Sequence, residues 1–309
     1  MHLLIPFAAP LSEAGRAAAR TLALPQLAAL LSVLTLQARD DADEWTLSPP
    51  HERALARALG WQAGDGALPW AARAAAADGI DVGELAWGQL SPVHWHVGTD
   101  QVSLIDPAGL RLDDAGSRQV FGAVQELFTS EGYDFVYATA ERWYAAHENL
   151  AQLPCASLDR VIGRNVDRWL GSDPAARRIR RLQGEVQMLL YTHPLNDERE
   201  QRGLLPVNSF WISGCGVAQP AGGPGATVDD RLRAPALADD WAAWVKAWDT
   251  LDAGPLAELL ARARQGDAVQ LTLCGERGSA GFAAVSRSLL QRLRSRFSSP
   301  DWRALLESL

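Results

Sequence analysis

The chain has one lysine (Lys246), three cysteines and six histidines among its residues, and no histidine follows His193. Each shortage excludes something. Cys155, Cys215 and Cys274 are odd in number and widely spaced, with no CxxC pair, so neither a disulfide framework nor a zinc ribbon is expected. A reducing, cytoplasmic compartment is the simplest expectation. The longest apolar stretch, Thr21 to Leu36, is broken by Pro25 and Gln26 and is too short to span a bilayer. The opening Met1-His-Leu-Leu-Ile-Pro-Phe-Ala lacks a positive flank and breaks at Pro6, so it does not read as a signal peptide. Positive charge is also short: a net charge of −8 and a pI near 5.3 argue against a nucleic-acid or anionic-membrane binder. The scarcity of lysine beside abundant arginine and alanine looks like the codon bias of a GC-rich genome.

What is present is ordinary for a globular protein, with 48% apolar and 21% charged residues. At 309 residues the chain sits where single cores begin to split into two domains. Leu3 to Ala8 reads as a buried first strand, Leu24 to Leu36 as a core helix, Arg39 to Ser48 as a polar loop and His51 to Leu59 as a short helix stopped by Gly60. Pro92 to Ile105 alternates like a β-hairpin turning at Gly98-Thr99. Val120 to Phe128 marks an amphipathic helix, Tyr133 to Ala138 a strand, and Trp143 to Leu150 a helical stretch. Asp173-Pro174 is a capped helix start for the apolar face Ile179, Leu182, Val186, Leu189, Leu190. Asn208 to Ile212 is a strand entering the turn Ser213-Gly-Cys-Gly216; Pro220 to Asp230 is a loop; Val269 to Cys274 is a last strand. Alternating strands and helices imply a mainly parallel sheet covered by helices.

The densest polar constellation runs from His193 to Gly216. His193, Asn196, Arg199 and Asn208 fall between a long helix and a strand that ends in glycines, where an open α/β sheet binds ligands. Arg and Asn there suit a phosphate or carboxylate, with amides of the glycine turn assisting. The alternative is a capped turn, with His193 and Asn196 satisfying backbone groups.

The same residues carry a resemblance. His193-Pro-Leu-Asn196, Arg202-Gly203 and Asn208 through Gly214-Cys-Gly216 are similar to a run in the archaeal-type, cofactor-independent phosphoglycerate mutases of the alkaline phosphatase superfamily. Val93 to Arg118 resembles that family's strand pair and following segment, although Asp106-Pro-Ala-Gly109 lacks its arginines. Phe135 to Trp143, ending in Arg142-Trp143, looks like a strand that carries a Tyr-Arg there. A nearer likeness is to the bacterial group labelled regulator of pathogenicity factors, E type, whose members share Leu190-Tyr-Thr-His-Pro and Pro206-Val-Asn-Ser-Phe-Trp. The resemblance implies an α/β fold: a three-layer alkaline-phosphatase-like core from residues 1–106 and 208–309, with a smaller α/β domain, 107–207, inserted.

The departures bear on activity. The mutases hold two metal ions with Asp and His residues, and a serine attacks the phosphate. Here the first strand ends without an Asp, Pro50-His51-Glu52 stands at the nucleophile motif, and Leu271 to Arg277 replaces the last Asp-His ligands. Ser48 substitutes only if the register slips. A two-metal site needs several converging ligands, so no metal or other cofactor is expected. The resemblance then implies a protein that has lost its two-metal site and holds a phosphorylated or carboxylated metabolite in a regulatory role, through Arg142, Arg164, His193, Asn196, Arg199 and Asn208. Two alternatives stand beside it. One is an active phosphomutase or phosphatase with an altered site, in which His51 accepts the phosphoryl group. The other is a protein-binding scaffold using Arg177-Arg178-Ile179-Arg180-Arg181 and the 220–230 loop.

Other features read more plainly. His94 and His96 lie two apart on a strand, facing one side, and with Asp100 or Asp106 are the remaining metal candidates; packing is the commoner role. Trp241, Trp244 and Trp248 recur at helical spacing as core residues. Cys215 reads as a small buried hydrophobe and not a nucleophile. Arg160, Arg164, Asn165 and Arg168 form either an anion pocket or an ion-pair network.

Overall fold

The computed structural model describes residues 1–284 and 301–309, so part of the expected core segment 208–309 lies outside the described residues. The chain is a mixed α/β protein, with two five-stranded sheets among the described residues. It divides into two compact units: residues 1–45, 49–61 and 221–309, and residues 46–48 and 62–220. The segment 107–207, expected as an insertion, lies within the second unit, which also takes in 62–106 and 208–220.

In the first unit the strand order is β2-β10-β9-β1-β8. β1 (His2–Ile5) runs parallel to both β9 (Gln270–Cys274) and β8 (Thr227–Val228). β10 (Gly278–Ala283) is antiparallel to β9 and to β2 (Thr35–Asp41). Leu3, Ile5, Leu271 and Leu273 alternate onto one face and meet Leu27, Leu30, Trp244, Trp248 and Leu259 from the helices Pro25–Val33, Trp241–Leu251 and Ala257–Gln265. Leu4 and Cys274, turned the other way by the two-residue strand period, pack with Ala54 of helix Pro50–Leu59. Helix Pro25–Val33 has no side-chain cap of its own. Buried Asp252, distant in sequence, accepts from the amides of Gln26 (3.1 Å) and Leu27 (2.8 Å) and takes that role.

The second unit's sheet is antiparallel throughout. β3 (Ala86–Val97) pairs with β4 (Val102–Ile105), β6 (Arg142–Ala146) and β7 (Ser209–Val217), and β5 (Asp134–Thr139) pairs with β6. Val120, Val124 and Phe128 of helix Asp114–Thr129, and Ile179, Leu182, Val186 and Leu190 of helix Pro174–Tyr191, cover Trp143, Phe210 and Ile212. Phe135 stacks between Phe121 and Phe128, with centroids 4.3 Å away on each side. Ala71, Ala72 and Ala75 of helix Trp70–Ala77 meet Trp87, Tyr144 and Ala146 in a separate cluster.

Three sequence expectations are corrected. Among the described strands, parallel pairing is confined to β8-β1-β9; the second unit's strands all pair antiparallel, β3–β4 and β5–β6 as hairpins joined by short turns, with β6 and β7 returning beside β3 from farther along the chain. The expected helical stretch Trp143 to Leu150 is strand up to Ala146 and turns only at Glu148–Leu150, as a 3-10 helix: Trp143 and Ala145 enter one apolar cluster while Tyr144 and Ala146 enter another, a two-sided burial at period 2. Residues within the expected loop 39–48 begin as β2, an exposed edge strand whose charges Arg39, Asp40 and Asp41 hid its strand character.

Candidate functional site

The carboxyl ends of parallel strands are where an α/β sheet presents a ligand site. β1 runs out into Pro6-Phe7-Ala8, and the Ala8 amide donates to the Cys274 carbonyl at the end of β9 (2.8 Å). Phe7 is held left-handed (φ 54°), a conformation that costs a non-glycine residue roughly 1 kcal/mol or more. Trp244 Nε1 fixes its carbonyl (3.0 Å). His51, at the start of helix Pro50–Leu59, sets its ring 5.4 Å from the Phe7 ring. Glu276 accepts from the Leu11 amide (3.0 Å). The ends of β1 and β9 thus carry Phe7, a histidine tilted 37° against its ring, and Cys274. Among the described residues no group of three or more His, Cys, Asp or Glu side chains could hold a metal ion. Ser48 is buried, with its Oγ accepting from the Gly66 amide (2.9 Å).

In the second unit the 193–216 constellation comes together around one short segment, residues 205–208. Buried Asn196 donates to the Val207 carbonyl and accepts from the Val207 amide (2.8 and 2.9 Å), and also donates to the Leu190 carbonyl (2.8 Å). Arg199 Nε donates to the Leu205 carbonyl (2.9 Å), and a terminal nitrogen donates to the Leu110 carbonyl (2.5 Å). The His94 ring meets the Pro206 carbonyl through Nδ1 (2.8 Å). Asn208 mimics a strand neighbour, accepting from the Trp95 amide (2.7 Å) and donating to its carbonyl (3.0 Å). His193 caps helix Pro194–Gln201 through Nδ1, which accepts from the Leu195 amide (3.3 Å). The capped-turn alternative is therefore what His193 and Asn196 do. The spacing of these residues reflects a strap pinned by side chains where the main chain makes no regular ladder.

Electrostatics follow from that geometry. Burial lowers the Arg199 pKa, against the opposing pull of Asp113. Its hydrogen bonds all run to neutral carbonyls, which leaves a buried cation with no carboxylate in contact. Burial also lowers His94, with the neighbouring His96 charge adding to it and the Pro206 carbonyl opposing. The two rings lie 6.3 Å apart, and Asp100 and Asp106 form no ligand group with them.

Arg142 is engaged elsewhere. Its Nε and a terminal nitrogen grip both oxygens of Asp78 (2.9 and 2.7 Å), and Tyr144 adds a third hydrogen bond (2.7 Å). Burial would raise the Asp78 pKa, but the hydrogen bonds and charge of its partners carry it below the ordinary carboxylate value. Arg164 is half-buried in the turn that follows Val161, beside the Ser103–Asn165 bridge. Sequence reading missed the Asp78–Arg142–Tyr144 group, because Asp78 is separated from its partners by 64 and 66 residues and carries no local signal.

No family model and no curated protein matches the chain. Solved structures are similar to it, two of which follow. The cofactor-independent phosphoglycerate mutase from Thermoplasma acidophilum DSM 1728 shares 14% identity over 94% of each chain, with a TM-score of 0.38. The PH0037 protein from Pyrococcus horikoshii shares 11% identity over 100% of this chain and 97% of its own, with a TM-score of 0.47. Neither likeness is close enough to carry an argument about residues or chemistry.

Proposed function

We propose that this chain is a metabolite-binding regulatory protein on an alkaline-phosphatase-like plan, and not a two-metal phosphoryl-transfer enzyme. What supports the reading is the chemistry at the ends of β1 and β9, where Phe7, His51 and Cys274 stand and where, among the described residues, no group of three or more His, Cys, Asp or Glu side chains could hold a metal ion. The ligand is a phosphorylated or carboxylated metabolite. Arg199, a buried cation bonded only to neutral carbonyls, and the half-buried Arg164 supply the attraction for an anion, and Arg142 joins them only by exchanging its Asp78 partner for the ligand. His193, Asn196 and Asn208 act on this ligand through the strap that they pin.

The test is a melting experiment with 3-phosphoglycerate and related phosphometabolites, with and without Mn²⁺ or Zn²⁺. A ligand that binds only the folded state raises the melting temperature. The reading expects stabilisation by the metabolite alone and none added by metal. Metal-dependent mutase or phosphatase turnover would overturn it and restore the altered-enzyme alternative with His51.

One observation favours the scaffold reading instead. Met188 and Tyr191 are 79% and 85% exposed on helix Pro174–Tyr191, and they continue the face begun by Arg177 and Arg181. A helix face with exposed Arg177, an Arg181 already paired with Glu131 and Glu185, and two large apolar side chains suits a partly apolar protein segment. If no metabolite shifts the melting temperature, retention of a partner lost on Tyr191→Ala would establish that reading.

A further inference from the structure

We propose that a groove in the first unit, between helix Glu13–Thr21 and helix Trp302–Glu307, binds a phosphate monoester through Arg16, Arg20 and Arg303. A cavity of about 40 Å³ lies there. Ala9, Ala19 and Leu306 give it apolar lining, and the three arginines surround it with positive charge.

Close packing sets the first of these helices. Gly15 faces Pro10 and Trp241, and a Cβ there would stand 2.5 Å from the Pro10 Cβ. Ala19, one turn later, packs against the leucine core. Arg16 and Arg20 each follow one of these inward residues, so they emerge one above the other at i and i+4. Like charges at that spacing disfavour a helix. Both side chains are exposed, and among the described residues neither guanidinium has a hydrogen bond or an ion pair. Even Glu13, three residues before Arg16, does not pair with it.

Arg303 is held in place by neutral groups. Its two terminal nitrogens donate to the Arg20 carbonyl (2.8 Å) and the Leu22 carbonyl (2.7 Å), which closes off the last carbonyls of the helix. Its guanidinium carbon lies 4.5 Å from the centre of the Trp302 ring. These contacts fix the guanidinium and leave its other N–H donors open. Glu307 also lines the cavity, at i+4 from Arg303, yet among the described residues it forms no ion pair with any of the three. In a chain of net charge −8, three cations around one small cavity with a single carboxylate are a local excess of positive charge.

The dimensions and the charge select the ligand class. A cavity of this size holds one compact polar group and not a ring system. A phosphate monoester carries about −1.5 to −2 near neutral pH, with several acceptor oxygens, where a carboxylate supplies a single charge. Arginine forks match phosphate oxygens in geometry. The site is separate from the anion pocket proposed above, because Arg142, Arg164 and Arg199 belong to the second unit.

The experiment titrates the full chain with inorganic phosphate by calorimetry, in chloride buffer at fixed ionic strength, beside melting curves. The expected result is saturable binding that weakens as salt rises. The double variant Arg16→Gln, Arg20→Gln should bind about tenfold more weakly, and Arg164→Gln should leave this binding in place. In chloride alone the double variant should melt no lower than wild type, because the repulsion along the helix is gone. Phosphate should raise the wild-type melting temperature more than the variant's. Absence of phosphate binding by the wild type, or equal affinity in the double variant, would overturn the proposal. Binding lost in Arg164→Gln but kept in the double variant would place the phosphate in the second unit, against this site and in favour of the other. A double variant that melts lower in chloride would make the arginines structural and also overturn it.

Discussion

The two units solve the same problem, a sheet with helices packed on it, by different means. The first is held by leucine and tryptophan packing: Leu27, Leu30, Trp244, Trp248 and Leu259 form one apolar cluster against β1 and β9. The second has an aromatic core as well, but its irregular chain is pinned by polar side chains acting as backbone substitutes: Asn196, Arg199, Asn208 and His94 around residues 205–208. Apolar burial is non-directional and tolerates modest change in shape, whereas a buried hydrogen bond is costly to leave half-made. A polar motif dense enough to look like a binding site can therefore be the scaffolding of a turn.

The sharpest way to break this comparison is Trp244→Ala. Trp244 is fully buried between Trp241 and Trp248, so its loss should cost about 4 kcal/mol in a denaturant melt. Hydrogen exchange should rise first in β1 and β9; equal early loss in β3 and β7 would deny the separate cores. Asn196→Ala should follow at about 3 kcal/mol, because it strands the Val207 amide and carbonyl in the interior, while the Leu190 carbonyl keeps the His193 amide. Its exchange signature should centre on 205–208. A loss under about 0.5 kcal/mol would return Asn196 to the list of pure ligand contacts.

The smallest effect is in the pH profile. Asp78, lowered by Arg142 and Tyr144 despite burial, favours the folded state above the ordinary carboxylate pKa, and that contribution is lost as pH falls through the folded value. Asp40 behaves likewise: burial would raise it, and Arg53 and Arg57 bring it down. His94 is lowered chiefly by burial, so its protonation favours unfolding, and stability should begin to decline as pH drops below 6.5. Asp78→Asn should flatten the acid limb while leaving the decline near pH 6 in place. Loss of both features would mean that they report a single transition.

Much of the fold was legible in the sequence where a local signal existed. Asp173-Pro174 opens its helix as expected, with the Asp173 carboxylate on the Ala176 amide (3.0 Å). Leu3 to Ile5 and Leu271 to Leu273 are buried strands, and Trp244 and Trp248 are core. The hairpin over 92–105 turns where Gly98 bonds Gln101. The misses share a cause. Trp143 to Ala146 is apolar on both faces, so strand and helix cannot be told apart by periodicity. Of the candidate site, the residue types and the cluster were visible, but what each side chain holds was not.

What the sequence determined alone is the composition of the chemistry: no histidine after His193, three separated cysteines, and no aspartate closing the first strand. These are counts and local patterns, and no packing can alter them. Tertiary structure decided which of the polar residues were already engaged. Asn196 holds Val207 across a turn, and Asp78 between Arg142 and Tyr144 and Asp252 on the amides of Gln26 and Leu27 are contacts across long stretches of chain. Hydrogen bonds act over about 3 Å in space, and sequence separation carries no record of that distance.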